Sequence, residues 1–357
     1  MPSLSPIRLV ASITFALFLI PAVPLRAQEN KAPAAPAAVQ PQAAPMGIKL
    51  ERTKEDFTSL GLAGSDLVAL QPFPGGHEAN KDFVRDLYQV QWRLNDPIDL
   101  FIIRPTGVKN PPVVLYLFSF PSDTKRFYSA AYCKRLVSNG AAAVGFVSAL
   151  TGDRYHRPMK QWFISELQES LGTTVHDVQM ILNYLQTRGD LDMSRVGMFG
   201  QGSGGAIAIL AASADPRIKA LDLIGPWGDW PDFLAEAKGL PPEEQPSYLK
   251  PDFLKKVEPL EPARYLPELK GRNLRIQFID EKPPAKWAVS VEKAAPAGAE
   301  VNHYASPEDL SAASSSGKLF QWIADKLKLT AETTAPAQTQ PTAAADKATA
   351  DKKGASH

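Results

Sequence analysis

The sequence predicts an α/β protein whose mainly parallel central sheet carries helices on both faces. Three observations lead there. Short apolar runs, which read as strands covered on both sides, alternate with segments of helical periodicity. A glycine-rich turn over residues 200–205 joins one such strand to a helix. Between two low-complexity ends lie roughly 280 residues, a length that one α/β domain can use by itself.

The elements follow in order. Residues 86–93 alternate in polarity as a half-buried strand does, residues 97–104 form a second strand, and Asn95, Asp96 and Pro97 mark a hairpin turn between them. Residues 113–118 are apolar throughout, as in a strand covered on both faces. A helix over 129–137 ends at the C-cap pair Asn139 and Gly140, and residues 141–147 make another buried strand. The clearest helix is expected to begin near Thr174. Thr174 and Asp177 have capping-box spacing there, and Val178, Ile181, Leu182 and Leu185 fall on one face. Gly189 and Asp190 end it. A strand over 195–199, the glycine turn and a helix over 206–212 come next, then strands over 218–224 and 274–279. A last helix puts Leu319, Trp322, Ile323 and Leu327 on one side. Strands alternating with helices in this way imply a mainly parallel sheet.

The ends read differently. Arg8, an apolar stretch over 9–20 and the run Leu25, Ala27 before Gln28 form a signal peptide over 1–27, which implies a periplasmic or extracellular protein. A retained membrane anchor is the other reading of this segment. Residues 28–46 form an Ala/Pro-rich linker and 331–357 an Ala/Thr/Lys tail, both too poor in apolar surface to offset the entropy of ordering. The domain is therefore placed at 47–330. The single cysteine, Cys133, rules out an intrachain disulfide, so the fold must rest on its core. With 39 basic and 38 acidic residues and no basic stripe, a nucleic-acid surface is not indicated. No membrane contact is expected beyond the export signal. No His, Cys or carboxylate cluster has metal-ligand spacing, and no cofactor is implied.

One stretch carries a resemblance. Asp177-Val178, then Leu182-Asn183-Tyr184-Leu185, then residues 190–200 resemble the dienelactone-hydrolase and prolyl-oligopeptidase branches of the α/β-hydrolases. There this stretch leads into the nucleophile elbow. Residues 86–118 and the run 262–270 are similar to further parts of those families, so the resemblance spans about residues 86–328. It implies the α/β-hydrolase fold and, for active members, a serine hydrolase of ester or peptide bonds.

The site residues depart from that pattern. The elbow is G-x-S-x-G. In the register set by the strand, Gly200 and Gly204 are its glycines, Gly202 stands at the nucleophile position and Ser203 falls one place late. A slip of one residue would make Ser203 the nucleophile, with Gln201 in place of the first glycine. The family's base, which follows the eighth strand, matches Asp309, and its acid matches Pro283. His303 reads as a strand residue, and Asp280 and Glu281 as loop charges near enough to serve if the loop is remodelled. In the third-strand loop, Phe118-Ser119-Phe120-Pro121 replaces the glycines of an oxyanion hole.

The expectation is thus an exported protein of α/β-hydrolase fold that is non-catalytic or strongly diverged, with a ligand-binding or scaffolding role toward a small molecule or a protein. The alternative is a serine hydrolase using Ser203 with a rearranged acid and base. A minor alternative is a dinucleotide-binding oxidoreductase, because Gly200, Gly202 and Gly205 match the G-x-G-x-x-G fingerprint. That match comes late in the domain and lacks an acidic residue ending the next strand, since Asp222 lies inside it. Trp227 and Trp230 follow that strand, at the sheet edge where ligands bind, and either line a pocket or pack beneath the insertion over 231–271.

Overall fold

The computed structural model describes residues 54–94, 96–119, 124–149, 154 and 164–334. The expected signal peptide and linker lie outside these residues, as do Asn95, Phe120, Pro121 and the tail beyond Thr334. Nine strands are described: β1 (Phe73–Ala79), β2 (Phe83–Val90), β3 (Ile98–Pro105), β4 (Pro112–Leu117), β5 (Ala142–Phe146), β6 (Asp192–Gln201), β7 (Ile218–Ile224), β8 (Asn273–Ile279) and β9 (Glu300–Tyr304). The helices are α1 (Ala130–Val137), α2 (Leu167–Gln186), α3 (Ser203–Ala214), α4 (Trp230–Glu236), α5 (Gln245–Tyr248), α6 (Pro251–Val257), α7 (Pro262–Tyr265), α8 (Lys286–Ala294), α9 (Pro307–Ser315) and α10 (Lys318–Thr334).

The strands form one sheet in the order β1-β2-β3-β5-β4-β6-β7-β8-β9. The first three are antiparallel to their neighbours, and from β5 onward every pairing is parallel. The period of two explains the layering. Along β4, Val113, Leu115 and Leu117 face one core with α2 and α3, while Val114 and Tyr116 face a second core with α1 and α10. A strand covered on both sides must be apolar throughout, which is why residues 113–118 are legible as a strand.

Three departures from the sequence expectation bear on how the sheet and its covering helices are built. Strand β1 was not foreseen: two glycines and an exposed face leave it no apolar alternation, and backbone pairing with β2 makes it a strand. The long helix α2 begins at Leu167, seven residues before Thr174. Thr174 is therefore no cap. Its hydroxyl donates to the Ser170 carbonyl at 2.8 Å inside the helix, and Leu167 and Leu171 extend the apolar face upstream. Helix α10 runs to Thr334, four residues beyond the expected domain end.

Asp177, read as a capping residue, lies at the centre of a buried ion cluster instead. It accepts from Trp92 Nε1 at 2.8 Å, Arg93 Nη1 at 2.5 Å and Arg154 Nη1 at 2.5 Å. Arg154 also forks onto Asp96, and Arg93 forks onto Glu55, which bonds His176 Nδ1 at 2.6 Å. Burial opposes the Asp177 charge, yet Arg154 and Arg93 outweigh it and hold the carboxyl down at about 2. The cluster clasps the segment before β1 and the β2–β3 connection onto α2.

Candidate functional site

The order of the sheet reverses at β4. The chain passes from β4 to β5 on one side and then to β6 on the other. Sites of open α/β sheets form outside the carboxyl ends of the strands at such a reversal. Leu117 pairs with Gly200 in the β4–β6 register, so Ser119 and Gly202, each two residues further along, come face to face there.

Gly202 forms the corner between β6 and α3 with φ +54° and ψ −118°, a conformation that a side chain makes costly. Its N–H donates to the Ile224 carbonyl at 2.9 Å, and its carbonyl accepts from the N–H groups of Ala206 and Trp227, both at 3.1 Å. The corner is crowded as well as strained. A Cβ on Gly204 would lie 2.4 Å from the Leu117 carbonyl oxygen. A Cβ on Gly202 would lie 2.5 Å from Ser119 Oγ and 3.2 Å from Trp227 Nε1. The place an elbow side chain would take is thus crowded by Ser119, two residues beyond β4. Ser203, the other candidate nucleophile, begins α3 fully buried and is not among the residues lining the cleft.

A cleft of about 320 Å³ opens beside this corner, within the range of small-molecule pockets. Ser119, Gly202 and Trp227 line it together with Asp280, Glu281 and His303. His303 Nδ1 is 2.9 Å from Asp280 Oδ1, and its Nε2 is 3.6 Å from Glu292 Oε2. The side chains of His303 and Asp280 are 42% and 50% exposed. The structure therefore brings together two residues that read separately as a strand residue and a loop charge. Glu281 is exposed and pairs with Lys238 at 3.1 Å.

His303 is held within β9, opposite Phe278, whereas the family's base reaches in from beyond the strand. Counted through the pairings of β6, β7, β8 and β9, its backbone is three strands from the elbow, about 14 Å at ordinary strand spacing. Asp309, at the family's base position, is exposed in the first turn of α9, which Ser306 caps: the Asp309 N–H donates to Ser306 Oγ at 3.2 Å, and Ser306 Oγ donates to the Asp309 carboxylate at 3.0 Å.

The two tryptophans separate. Trp227 is half-buried on the cleft wall, stacked on Phe233 at 4.5 Å. Trp230 is buried in the core and donates from Nε1 to the Leu260 carbonyl at 2.9 Å. Glu261 fixes the turn between them by accepting from the N–H groups of Asp229, Trp230 and Ala263 at 2.6, 2.7 and 3.1 Å. Burial pushes the Glu261 carboxyl up, and these donors oppose the rise. Asp222 is engaged inside the sheet by Arg275, at 2.8 and 2.6 Å, and by Gln277 at 2.6 Å. Sequence reasoning placed Ser119 in the third-strand loop of the site but gave its side chain no role, and it missed Trp287 and Glu292. The β4 register beside the glycine turn is the signal that finds Ser119.

No protein-family model and no curated protein matches the sequence. Solved structures do match in shape. An acetyl xylan esterase from Paenibacillus sp. R4 is 16% identical over 71% of this chain and 88% of its own, with a TM-score of 0.50. An S-formylglutathione hydrolase from Agrobacterium tumefaciens is 14% identical over 71% of this chain and 99% of its own, with a TM-score of 0.54. Together with the mostly parallel sheet and the glycine corner, these likenesses show that the chain has the α/β-hydrolase fold.

Proposed function

We propose that this is an exported α/β-hydrolase-fold protein that binds a small molecule in the cleft at the carboxyl edge of its sheet, without forming an acyl-enzyme at the elbow. The observation that carries the reading is Gly202: the corner keeps the elbow's strained geometry, offers no side chain, and has its Cβ position crowded by Ser119. The base is displaced as well: His303 is held within β9 and bonded to Asp280, and Asp309 stands where the family's base would.

A second reading, a serine hydrolase of esters, has a specific observation behind it. Asp280 and His303 are bonded as an acid and base would be, in the same cleft, and the solved structures of like fold are named as esterases and hydrolases. Those names support this second reading more than the first. In it, the hydroxyl set against the elbow is that of Ser119, since Ser203 is buried.

A fluorophosphonate probe followed by peptide mapping tests the choice, alongside hydrolysis of p-nitrophenyl acetate. The binding reading expects no labelled serine and no turnover above background. Stoichiometric labelling of Ser119, lost in Ser119→Ala together with turnover, would establish the hydrolase instead. Labelling of Ser203 would return the one-residue slip.

A further inference from the structure

The lining of the cleft has a chemistry that selects its ligand. Its mouth carries the carboxylates of Asp280, Glu281 and Glu292, and no lysine or arginine is among the described residues that line it. This is a local excess of negative charge in a chain whose net charge is +1. Glu281 is offset by Lys238. Among the described residues, Asp280 and Glu292 share His303 as their ion-pair partner, and one imidazole cannot neutralise both. The lining is also aromatic: Trp227 stacks on Phe233 at 4.5 Å, and Phe233 meets Trp287 edge-on at 5.9 Å. Trp227 and Trp287 both line the cleft and both are half-buried.

An anion entering this cleft meets like charge, which selects against it. A neutral apolar molecule gains the walls but nothing at the mouth. A cation with an apolar body gains both, because carboxylates and the faces of indole rings attract positive charge. We infer that the cleft takes a small organic cation, an alkyl- or arylammonium, with its charge at the Asp280–Glu292 mouth and its apolar part against Trp227 and Trp287. The inference rests on the binding reading and names the ligand class for that same site.

Three probes that share a benzyl or phenyl group test it on the full chain: benzyltrimethylammonium, benzyl alcohol and benzoate. Binding is read by tryptophan fluorescence and by thermal shift. The ammonium is expected to bind at least about tenfold more tightly than the alcohol, with benzoate weakest. Asp280→Asn combined with Glu292→Gln should close that gap to within about threefold while leaving the alcohol's affinity in place, and Trp287→Ala should weaken ammonium and alcohol alike. All these side chains are partly exposed, so the variants keep their core, and far-ultraviolet circular dichroism checks that they do. Equal binding of ammonium and alcohol, or tightest binding of benzoate, overturns the cation inference and leaves the binding site standing. If none of the three binds, the binding reading falls as well.

Discussion

Asp177 and Asp280 are both aspartates bonded to basic side chains, and the fold uses them in opposite ways. Asp177 is fully buried, and its two oxygens take three donors from Trp92, Arg93 and Arg154. Asp280 is half exposed and bonds His303, itself 42% exposed, at the mouth of a cleft. The difference teaches how to separate scaffold from site. A charge taken out of water must be saturated with donors to be tolerated at all, so it has nothing left for a ligand. A charge at a cleft mouth stays hydrated and keeps bonding capacity for what enters.

The largest expected effect lies on the buried side. Asp177→Asn should cost about 3–5 kcal/mol, because it leaves two arginines facing each other without their shared anion. Urea unfolding measures it, and a loss under about 1 kcal/mol would remove the contrast with Asp280. The same residue sets an acid limit. Its folded pKa, about 2, is depressed below an unfolded value of about 3.9, so its stabilisation is fully present above that higher value. It is lost as pH falls through the lower one. The wild-type chain should therefore lose stability steeply between about pH 4 and pH 2, with a slope that Asp177→Asn flattens.

The elbow gives an intermediate effect. Gly202→Ser adds a Cβ at positive φ and 2.5 Å from Ser119 Oγ, for an expected cost of about 1–3 kcal/mol. Combining it with Ser119→Gly should recover part of that cost and leave the backbone strain. Additivity of the two changes in a double-mutant cycle would show that Ser119 does not occupy the elbow position. The smallest effect belongs to the cleft mouth. His303→Ala should change stability by less than about 0.5 kcal/mol, since its partners are solvated. A loss comparable to that of Asp177→Asn would make the Asp280–His303 pair part of the scaffold.

The sequence by itself determined the layers of this protein. Residues 218–224 read as a strand and form β7 with those bounds, and the apolar runs of β4 and β5 read as strands because both of their faces are covered. The glycines at 200, 202 and 204 placed the corner between β6 and α3, because a crowded turn with positive φ excludes side chains locally. Only the tertiary structure decided which polar residues meet. Asp177 finds Arg93 across 84 residues, His303 finds Asp280 across 23, and Ser119 reaches Gly202 because β4 lies beside β6. Strand β1 and the first seven residues of α2 belong to the same class: backbone pairing with β2 makes the one. Packing against the segment that holds Phe57 helps hold the other. Local pattern records whether a face is buried, whereas the identity of the partner depends on strand order, which no single stretch of chain contains.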